Sequence, residues 1–179
     1  MKDADSINER IEQIYDKHYK DVYHFLICFT GSRNDAEDLT QEVFIRVLKS
    51  LSSFNNQDRL KSWILAISRN VAVDYYRRNK FYSLFKDGFF NSLISNEKKP
   101  DQALEIAEEI EIVKRTILTL KPSYREVIIL RGINEMSIKE TAKILNCSES
   151  KVKVNYHRAL KKLQTKLSFN MEEVIENAK

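Results

Sequence analysis

Residues 137–167 carry the sequence SIKETAKILNCSESKVKVNYHRALKKLQTKL. This stretch predicts two helices joined by a tight turn. Ser137 can cap the first helix, and Glu140, three residues later, completes a capping box. Asn146 favours the left-handed conformation that ends a helix, and Ser148 can cap the second helix. A short helix, a small turn and a second helix are typical of a helix-turn-helix.

The second predicted helix is basic on the side that its apolar stripe leaves free. The stripe recurs at spacings of three and four: Val152, Tyr156, Leu160, Leu163 and Leu167. Basic residues occupy the remaining positions: Lys151, Lys153, Arg158, Lys161, Lys162 and Lys166. Such a helix can enter the major groove of DNA. The pattern also fits a helical hairpin with a solvated lysine face, and spacing alone does not separate these two interpretations.

Composition places the chain among folded helical proteins. Its 179 residues include only three glycines and two prolines, and segments of period 3.6 dominate, which predicts an all-α fold. No apolar run reaches the length of a membrane span, and the first ten residues lack the apolar core of a signal peptide. Cys28 and Cys147 stand apart without metal-ligand spacing, so we expect free thiols in the cytoplasm.

Charge is unevenly distributed along the chain. The net charge is +4, yet residues 111–167 hold 13 basic and 5 acidic side chains, a local net charge of +8. Residues 81–110 hold 3 basic and 6 acidic side chains. The basic segment contains the predicted helix-turn-helix, as expected of a phosphate-binding domain.

Two helices are predicted before residue 52. The first covers residues 7–29 and ends at Gly31 and Ser32; His18 on its apolar stripe lacks matching metal partners, so we interpret it as a core-edge or surface group. Asn34 is predicted to cap the second helix, whose buried stripe leaves a polar face: Asp35, Asp38, Gln41, Glu42 and Lys49. That face fits either a solvated surface or a docking surface for a partner.

A third helix is predicted from Ser62, as its cap, to about Lys80. One side is apolar, and the other carries an amide, a carboxylate and two guanidiniums: Asn70, Asp74, Arg77 and Arg78. With aromatic rings adjacent, this face suits single-stranded nucleic acid, because bases stack on rings while arginines hold phosphates. An ordinary salt-bridged surface fits the pattern equally well.

Periodicity fails over residues 81–103, which predicts a linker rich in aromatic residues that pack on a domain or a partner. A helix follows over residues 104–120. Another starts at Pro122, where Ser123 and Glu126 are predicted to form a capping box. The predicted domains are therefore residues 1–80 and 104–167, with an acidic tail over residues 168–179.

The chain contains no phosphate loop, nucleophile elbow, HExxH or CxxC, so we expect neither an enzyme nor a metal or cofactor.

Two blocks resemble a known family. DAEDLTQEVFIRVLKSLSSF at 35–54 with SWILAISRNVAVDYYRR at 62–78 resembles region 2 of bacterial sigma factors, and residues 120–163 resemble region 4. The chain resembles a sigma factor of the extracytoplasmic-function (ECF) group. The resemblance implies two small helical domains, a region 2 bundle and a region 4 helix-turn-helix, joined by a linker. It also implies a promoter-specificity subunit that binds core RNA polymerase.

The resemblance implies roles for the matching positions. Docking on the clamp helices of the polymerase β′ subunit would use the helix at 35–51, through Asp38, Gln41, Glu42 and Phe44. Capture of the −10 element as melted non-template strand would use Asn55, Asn56, Arg59, Trp63, Asn70, Asp74, Arg77 and Arg78. Reading of the −35 duplex in the major groove would use Lys151, Lys153, Val154, His157 and Arg158. The polymerase β subunit and an anti-sigma factor, membrane-bound or soluble, are further expected partners, and no small-molecule substrate is expected.

The chain departs from the family pattern at two places. Members often carry Lys-Ser-Arg where this chain has Lys153-Val154-Asn155, so we expect an unusual −35 preference; Val154 can still pack on a thymine methyl group. Primary sigma factors carry two adjacent tryptophans where this chain has Trp63-Ile64, so one aromatic wedge is missing. Melting is then expected to depend more on captured bases.

The alternative to a sigma factor is an autonomous helix-turn-helix regulator that binds duplex DNA without polymerase. Such a regulator would bind a palindrome as a dimer, yet no long heptad seam is present.

Promoter elements two helical turns apart are separated by about 70 Å, at about 35 Å per turn. A linker over 81–103 spans up to about 75 Å at roughly 3.3 Å per residue, so two tethered domains could reach both elements.

Overall fold

The computed structural model describes residues 2–86 and 106–177, with side chains for residues 9–56, 58–79 and 111–168. The helices in these ranges are α1 (Lys2–Thr30), α2 (Arg33–Ser50), α3 (Leu60–Lys86), α4 (Ile106–Leu118), α5 (Pro122–Ile128), α6 (Ile138–Ile144) and α7 (Glu149–Asn177). Short 3₁₀ turns cover Leu51–Ser53 and Gln57–Arg59, and a π-helical turn covers Ile129–Ile133. All regular structure in the described ranges is helical, which confirms the predicted all-α class.

The N-terminal half, residues 2–86, is a three-helix bundle in which α1, α2 and α3 each pack against the other two. Its core comes from the apolar stripes of all three helices, with side chains at most 1% exposed: Val22, Phe25, Leu26, Val43, Val47, Ile64, Leu65, Val71 and Ala72. Burial of these stripes stabilises the bundle in proportion to the apolar area removed from water.

The turn between α1 and α2 is set by Gly31, whose φ of +76° suits glycine. Ser32 caps α2, because its hydroxyl accepts a hydrogen bond from the Asp35 amide at 3.3 Å. The prediction that Asn34 caps this helix was wrong, since Asn34 already lies inside its first turn. Both residues favour a cap, and the backbone direction set by the glycine turn decides which is used.

The boundaries of α3 differ from the predicted 62–80. The helix starts at Leu60, and the hydroxyl of Ser62 donates to the Arg59 carbonyl at 3.0 Å instead of capping the helix. It ends at Lys86, so its last six residues cover the start of the predicted linker. The rest of that linker, over 87–103, lies outside the described residues, and so do the aromatic side chains predicted to pack there.

The C-terminal half, residues 106–177, contains the predicted helix-turn-helix, with α6 and α7 in contact and α4 and α5 packed on α7. The capping box of Ser137 and Glu140 is present in full. Asn146 has a φ of +49°, and the Ser148 hydroxyl accepts from the Lys151 amide at 3.2 Å. The three local signals of the helix-turn-helix are therefore confirmed. The α7 helix continues to Asn177, through most of the predicted acidic tail.

At α5 one prediction was correct and one was wrong. Pro122 occupies the first turn, as expected, but Lys121 is the N-cap and no side chain caps this helix. Glu126 does not form a capping box with Ser123; its carboxylate instead accepts from Arg69 of α3, Nε to Oε1 3.1 Å. A tertiary partner thus replaced the local one.

The two halves are in contact and share one apolar core. Ile117, Leu120 and Ile128 belong to the same cluster of buried side chains as Phe25 and Leu26 of α1. Across the junction, the Arg125 guanidinium donates to the Phe29 carbonyl at 2.7 Å. None of the described helices is long and apolar enough to cross a membrane.

Candidate nucleic-acid interface

The N-terminal turns of α7 present a basic surface to solvent. Val152 and Ala159 are fully buried and pack α7 against the other helices of the C-terminal half. The five residues predicted to read duplex DNA are all exposed: Lys151, Lys153, Val154, His157 and Arg158. Val154 is 46% exposed, so its methyl groups are available for the thymine contact predicted for this position. The structure therefore groups the whole predicted −35 set on one accessible side of the helix.

Arg158, at the edge of this surface, interacts with Tyr124 of α5. Burial pushes the pKa of Tyr124 upward, but hydrogen bonds and positive charge from Lys121 and Arg158 outweigh burial and lower that pKa. The Lys121 ammonium also lies over the Tyr124 ring, 4.0 Å from its centroid. The phenol of α5 therefore lies close enough to the Arg158 guanidinium of α7 to interact with it.

The exposed side of α3 collects the four polar residues predicted from its periodicity. Asn70, Asp74, Arg77 and Arg78 are all exposed. Asp74 lies 3.9 Å from Arg46 Nη1 of α2, and Arg46 Nε donates to Glu42 at 2.8 Å. A charge chain therefore links the helix predicted to dock polymerase with the helix predicted to capture the −10 strand.

The loop before α3 carries an aromatic stack. The rings of Phe54 and Trp63 lie 4.3 Å apart between centroids and within 17° of parallel. Asn55, Asn56 and Arg59 are exposed around this stack, so the predicted loop residues and the tryptophan lie close together. At the position of the missing second tryptophan, Ile64 is 1% exposed and faces the core, so this bundle presents one aromatic ring there.

The exposed face of α2 contains three of the four residues predicted to dock polymerase. Asp38 and Gln41 are exposed and Glu42 is half-buried. Phe44 is 6% exposed, and its ring packs on Tyr15 of α1, with centroids 4.7 Å apart. Phe44 therefore lies on the buried side of α2 and packs this helix against α1. Tyr15 and Leu48 lie on the apolar stripes of α1 and α2, yet Tyr15 is 44% exposed and Leu48 is 43% exposed.

A polar groove runs between α2 and the C-terminal part of α3, lined by Asp35, Asp38, Leu39, Tyr75, Arg78 and Asn79. Burial, followed by a hydrogen bond to Asp35, raises the pKa of Tyr75 to about 12. The phenol therefore remains protonated at neutral pH and donates across the groove. This contact links α2 and α3, the two helices that carry the predicted docking and −10 surfaces.

Periodicity did not select Arg46 or Arg69, two arginines that organise these surfaces. Arg46 follows Glu42 by four residues, a spacing that could have indicated the ion pair. Arg69 Nη1 donates to the Asn70 amide oxygen at 3.4 Å while its Nε contacts Glu126. Nothing local indicates the second contact, because its partner lies 57 residues away.

The buried histidine of α1 lies beside a carboxylate of its own helix. His18 is 4% exposed and lies 3.7 Å from Asp21. Burial lowers the pKa of His18, although the Asp21 carboxylate opposes that shift. Among the described residues, no group of three or more His, Cys, Asp or Glu could hold a metal ion.

Two family models match separate segments of the chain. The family model of Sigma-70 region 2 matches residues 14–82, and that of Sigma-70, region 4 matches residues 105–163. The ECF RNA polymerase sigma factor SigX of Bacillus subtilis (strain 168) is 35% identical over 175 residues, which cover 96% of this chain and 90% of SigX. The ECF sigma factor SigM of the same organism is 32% identical, over 86% of this chain and 93% of SigM.

Solved structures share the fold. The sigma factor RpoE of Bartonella quintana, in complex with the anti-sigma factor NepR, aligns with a TM-score of 0.73 at 24% identity, over 91% of this chain and 97% of RpoE. CnrH, in complex with the cytosolic domain of CnrY, aligns with a TM-score of 0.68 at 24% identity, over 90% of this chain and 89% of CnrH.

A region 2 bundle followed by a region 4 helix-turn-helix, with matching relatives over nearly the whole chain, defines the class of protein: the chain belongs to the sigma-70 family of RNA polymerase sigma factors. Within that family it is an ECF sigma factor. It therefore binds core RNA polymerase and directs transcription initiation from specific promoters.

Proposed function

We propose that the two halves divide promoter recognition in the way that their exposed surfaces suggest. The α2 face, with Asp38, Gln41 and Glu42, docks on the β′ clamp helices. The α3 face and the preceding loop capture the melted −10 strand, and α7 reads the −35 duplex. The observation that carries this assignment is that all five predicted −35 residues are exposed on one side of the recognition helix, which Ser148 caps.

The chemistry of each surface suits its assigned nucleic acid. The α3 face offers an amide, a carboxylate and guanidiniums beside the Phe54–Trp63 stack, which suits unpaired bases because every base has a face that stacks. The α7 face offers lysines, an arginine and an aliphatic side chain, which suits base edges and methyl groups in the major groove.

We also propose that an anti-sigma factor controls this protein. The protein itself acts in the cytoplasm and has no enzymatic activity of its own. RpoE was solved with the anti-sigma factor NepR bound, and CnrH with the cytosolic domain of CnrY bound. An anti-sigma factor that binds the exposed faces assigned to polymerase and DNA would switch a promoter-specificity subunit off by competition.

The decisive experiment combines the purified protein with sigma-free bacterial core polymerase and a promoter library, and sequences the transcripts. The expected result is initiation at a shared two-element motif only when the protein is present. If the protein leaves initiation unchanged but selects a duplex site alone, the autonomous regulator becomes the better interpretation. The assignments of α2 and α3 would then be abandoned.

Arg158→Ala is expected to weaken use of the cognate −35 element by about 1–3 kcal/mol, because a bidentate base contact of arginine contributes that much discrimination. The measurement is promoter strength on templates with cognate and scrambled −35 elements. Lys166→Ala is the matched control, since this lysine lies further along α7 and donates to Thr119 at 2.8 Å. An equal loss on both templates would show that Arg158 contacts only phosphate.

Asn70→Ala is expected to reduce −10 use while polymerase affinity stays unchanged, since Asn70 is an exposed residue of α3 and not of α2. Losing one hydrogen bond to a base edge costs about 1 kcal/mol, or roughly a fivefold loss of initiation on the cognate promoter. Open-complex formation and polymerase affinity are measured in parallel. Weaker polymerase binding by the variant would instead assign Asn70 to the docking surface.

A further inference from the structure

The centre of the exposed face of α7 is apolar. Val154 is 46% exposed, whereas Val152, two residues earlier, is fully buried. Successive residues of a helix are about 100° apart around its axis, because one turn holds 3.6 residues. Val154 therefore lies about 160° around the axis from Val152, and its side chain points away from the core of the C-terminal half.

The basic residues of this face lie on both sides of the valine. By the same helical geometry, Lys151 and Arg158 lie about 40–60° to one side of Val154, and Lys153 and His157 lie about 60–100° to the other. All four are exposed. The face assigned to the −35 duplex thus has charged edges and an aliphatic centre.

Val154 contributes little to the fold. Nearly half of its surface remains in water, and valine is a poorer helix former than alanine, lysine or arginine because of its branched Cβ. Single exposed apolar side chains are common on protein surfaces, and Val113 of α4 is another, at 38% exposure. Its place at the centre of the basic face of α7 distinguishes Val154 from such a residue.

The chemistry of valine limits what it can recognise in DNA. Its side chain neither donates nor accepts a hydrogen bond, and the base edges in the major groove present nitrogen and oxygen groups, apart from the C5-methyl group of thymine. Cytosine methylated at C5 places the same methyl group at the same ring position. The C5-methyl group of a pyrimidine is therefore the feature of the major groove that matches Val154.

We propose that Val154 reads the C5-methyl group of one pyrimidine of the −35 duplex, in thymine or in 5-methylcytosine. The proposal rests on the assignment of α7 to the −35 duplex and adds the chemical group that the centre of its face recognises. Arg158 lies four residues later, about 6 Å along the helix axis, a length close to two base-pair steps of about 3.4 Å. The valine and the arginine thus read different base pairs.

The test uses the wild-type full chain with core polymerase and a promoter selected from the transcript library, so the protein itself is unaltered. Every base pair contains one pyrimidine, so a C5-methyl group can be removed or added at each −35 position in turn. Deoxyuridine replaces thymine without its methyl group, and 5-methylcytosine replaces cytosine with one added. Initiation from each synthetic template is compared with initiation from its unmodified partner.

Initiation is expected to change by about fourfold at one −35 position, falling when the methyl group is removed or rising when it is added, because burial of one such group contributes about that factor. The effect should vanish in Val154→Ser, which removes both methyl groups of the side chain. Val113→Ser is the matched control, since it makes the same substitution at the exposed valine of α4, and it should retain the full effect. A loss on removal identifies thymine as the ligand, and a gain on addition identifies 5-methylcytosine.

The proposal is overturned if no −35 position responds to the methyl group. It is also overturned if the response persists in Val154→Ser, because the methyl group then acts through the shape of the duplex or through another side chain. The assignment of α7 is judged separately: loss of cognate −35 use by Arg158→Ala keeps that assignment even where no methyl group is read. Failure of the proposed function would instead appear as the absence of any promoter that requires the chain.

Discussion

Phe25→Ala is expected to lower the free energy of unfolding by about 3–5 kcal/mol, the usual cost of removing a buried phenylalanine. Phe25 is fully buried in α1 and stacks on Phe29, with ring centroids 6.0 Å apart and planes within 11°. The substitution removes that stack and leaves a cavity in the core that the two halves share. Since natural domains are stable by about 5–15 kcal/mol, a large part of the total is lost.

Urea denaturation measures this loss through two signals. Far-UV circular dichroism follows the helices of both halves, whereas the fluorescence of Trp63 follows the N-terminal half alone. Because the core is continuous, the two transitions of the wild-type chain should coincide. Ile45→Ala is the control: Ile45 is 45% exposed, so its truncation should change stability by no more than about 0.5 kcal/mol. Equal effects of the two substitutions would contradict the buried position of Phe25.

Arg125→Met is expected to lower the free energy of unfolding by about 3 kcal/mol, on the scale of charge-assisted hydrogen bonds lost from a buried site. The Arg125 guanidinium donates to the carbonyls of Phe29 at 2.7 Å, of Leu120 at 3.1 Å and of Leu118. Burial lowers the pKa of Arg125 from its ordinary value. Methionine fills the apolar space but donates nothing, so the carbonyls lose their donor.

Thermal unfolding of Arg125→Met is compared with that of Arg115→Met. Arg115 is exposed in α4 and pairs with Glu111 one turn away, and an exposed pair of this kind contributes about 0.3–0.5 kcal/mol. The buried substitution should therefore cost several times more than the exposed one. Similar midpoints for both variants would show that water satisfies the carbonyls of Phe29, Leu118 and Leu120 once the guanidinium is gone.

Signals that join residues three or four apart predicted the helix-turn-helix well. The capping box of Ser137 and Glu140, the left-handed Asn146 and the cap at Ser148 are all present. Each depends on backbone geometry within a single turn, so no knowledge of the rest of the fold is needed. The exposed basic residues of α7 followed from the same periodicity, because the buried Val152 and Ala159 fix the orientation of that helix.

Predictions failed where a local signal competed with a distant partner. Ser123 and Glu126 have the spacing of a capping box, yet the carboxylate of Glu126 pairs with Arg69 across the junction of the halves. Tyr15 and Leu48 lie on apolar stripes but are exposed, because three helices of one bundle cannot cover every position of a wide stripe. Periodicity indicates which face of a helix is apolar, and the neighbours decide how much of that face is covered.

The amino-acid sequence by itself determined the all-α class, the two sigma-70 segments, the capped helix-turn-helix and the basic face of α7, because these depend on contacts within a few residues or on motifs read directly from the chain. Only the tertiary structure decided how the two halves meet. The contacts that join them, from Arg69 to Glu126 and from Arg125 to the Phe29 carbonyl, span 57 and 96 residues. Such contacts form only when separate helices are brought together, and no local pattern specifies their partners.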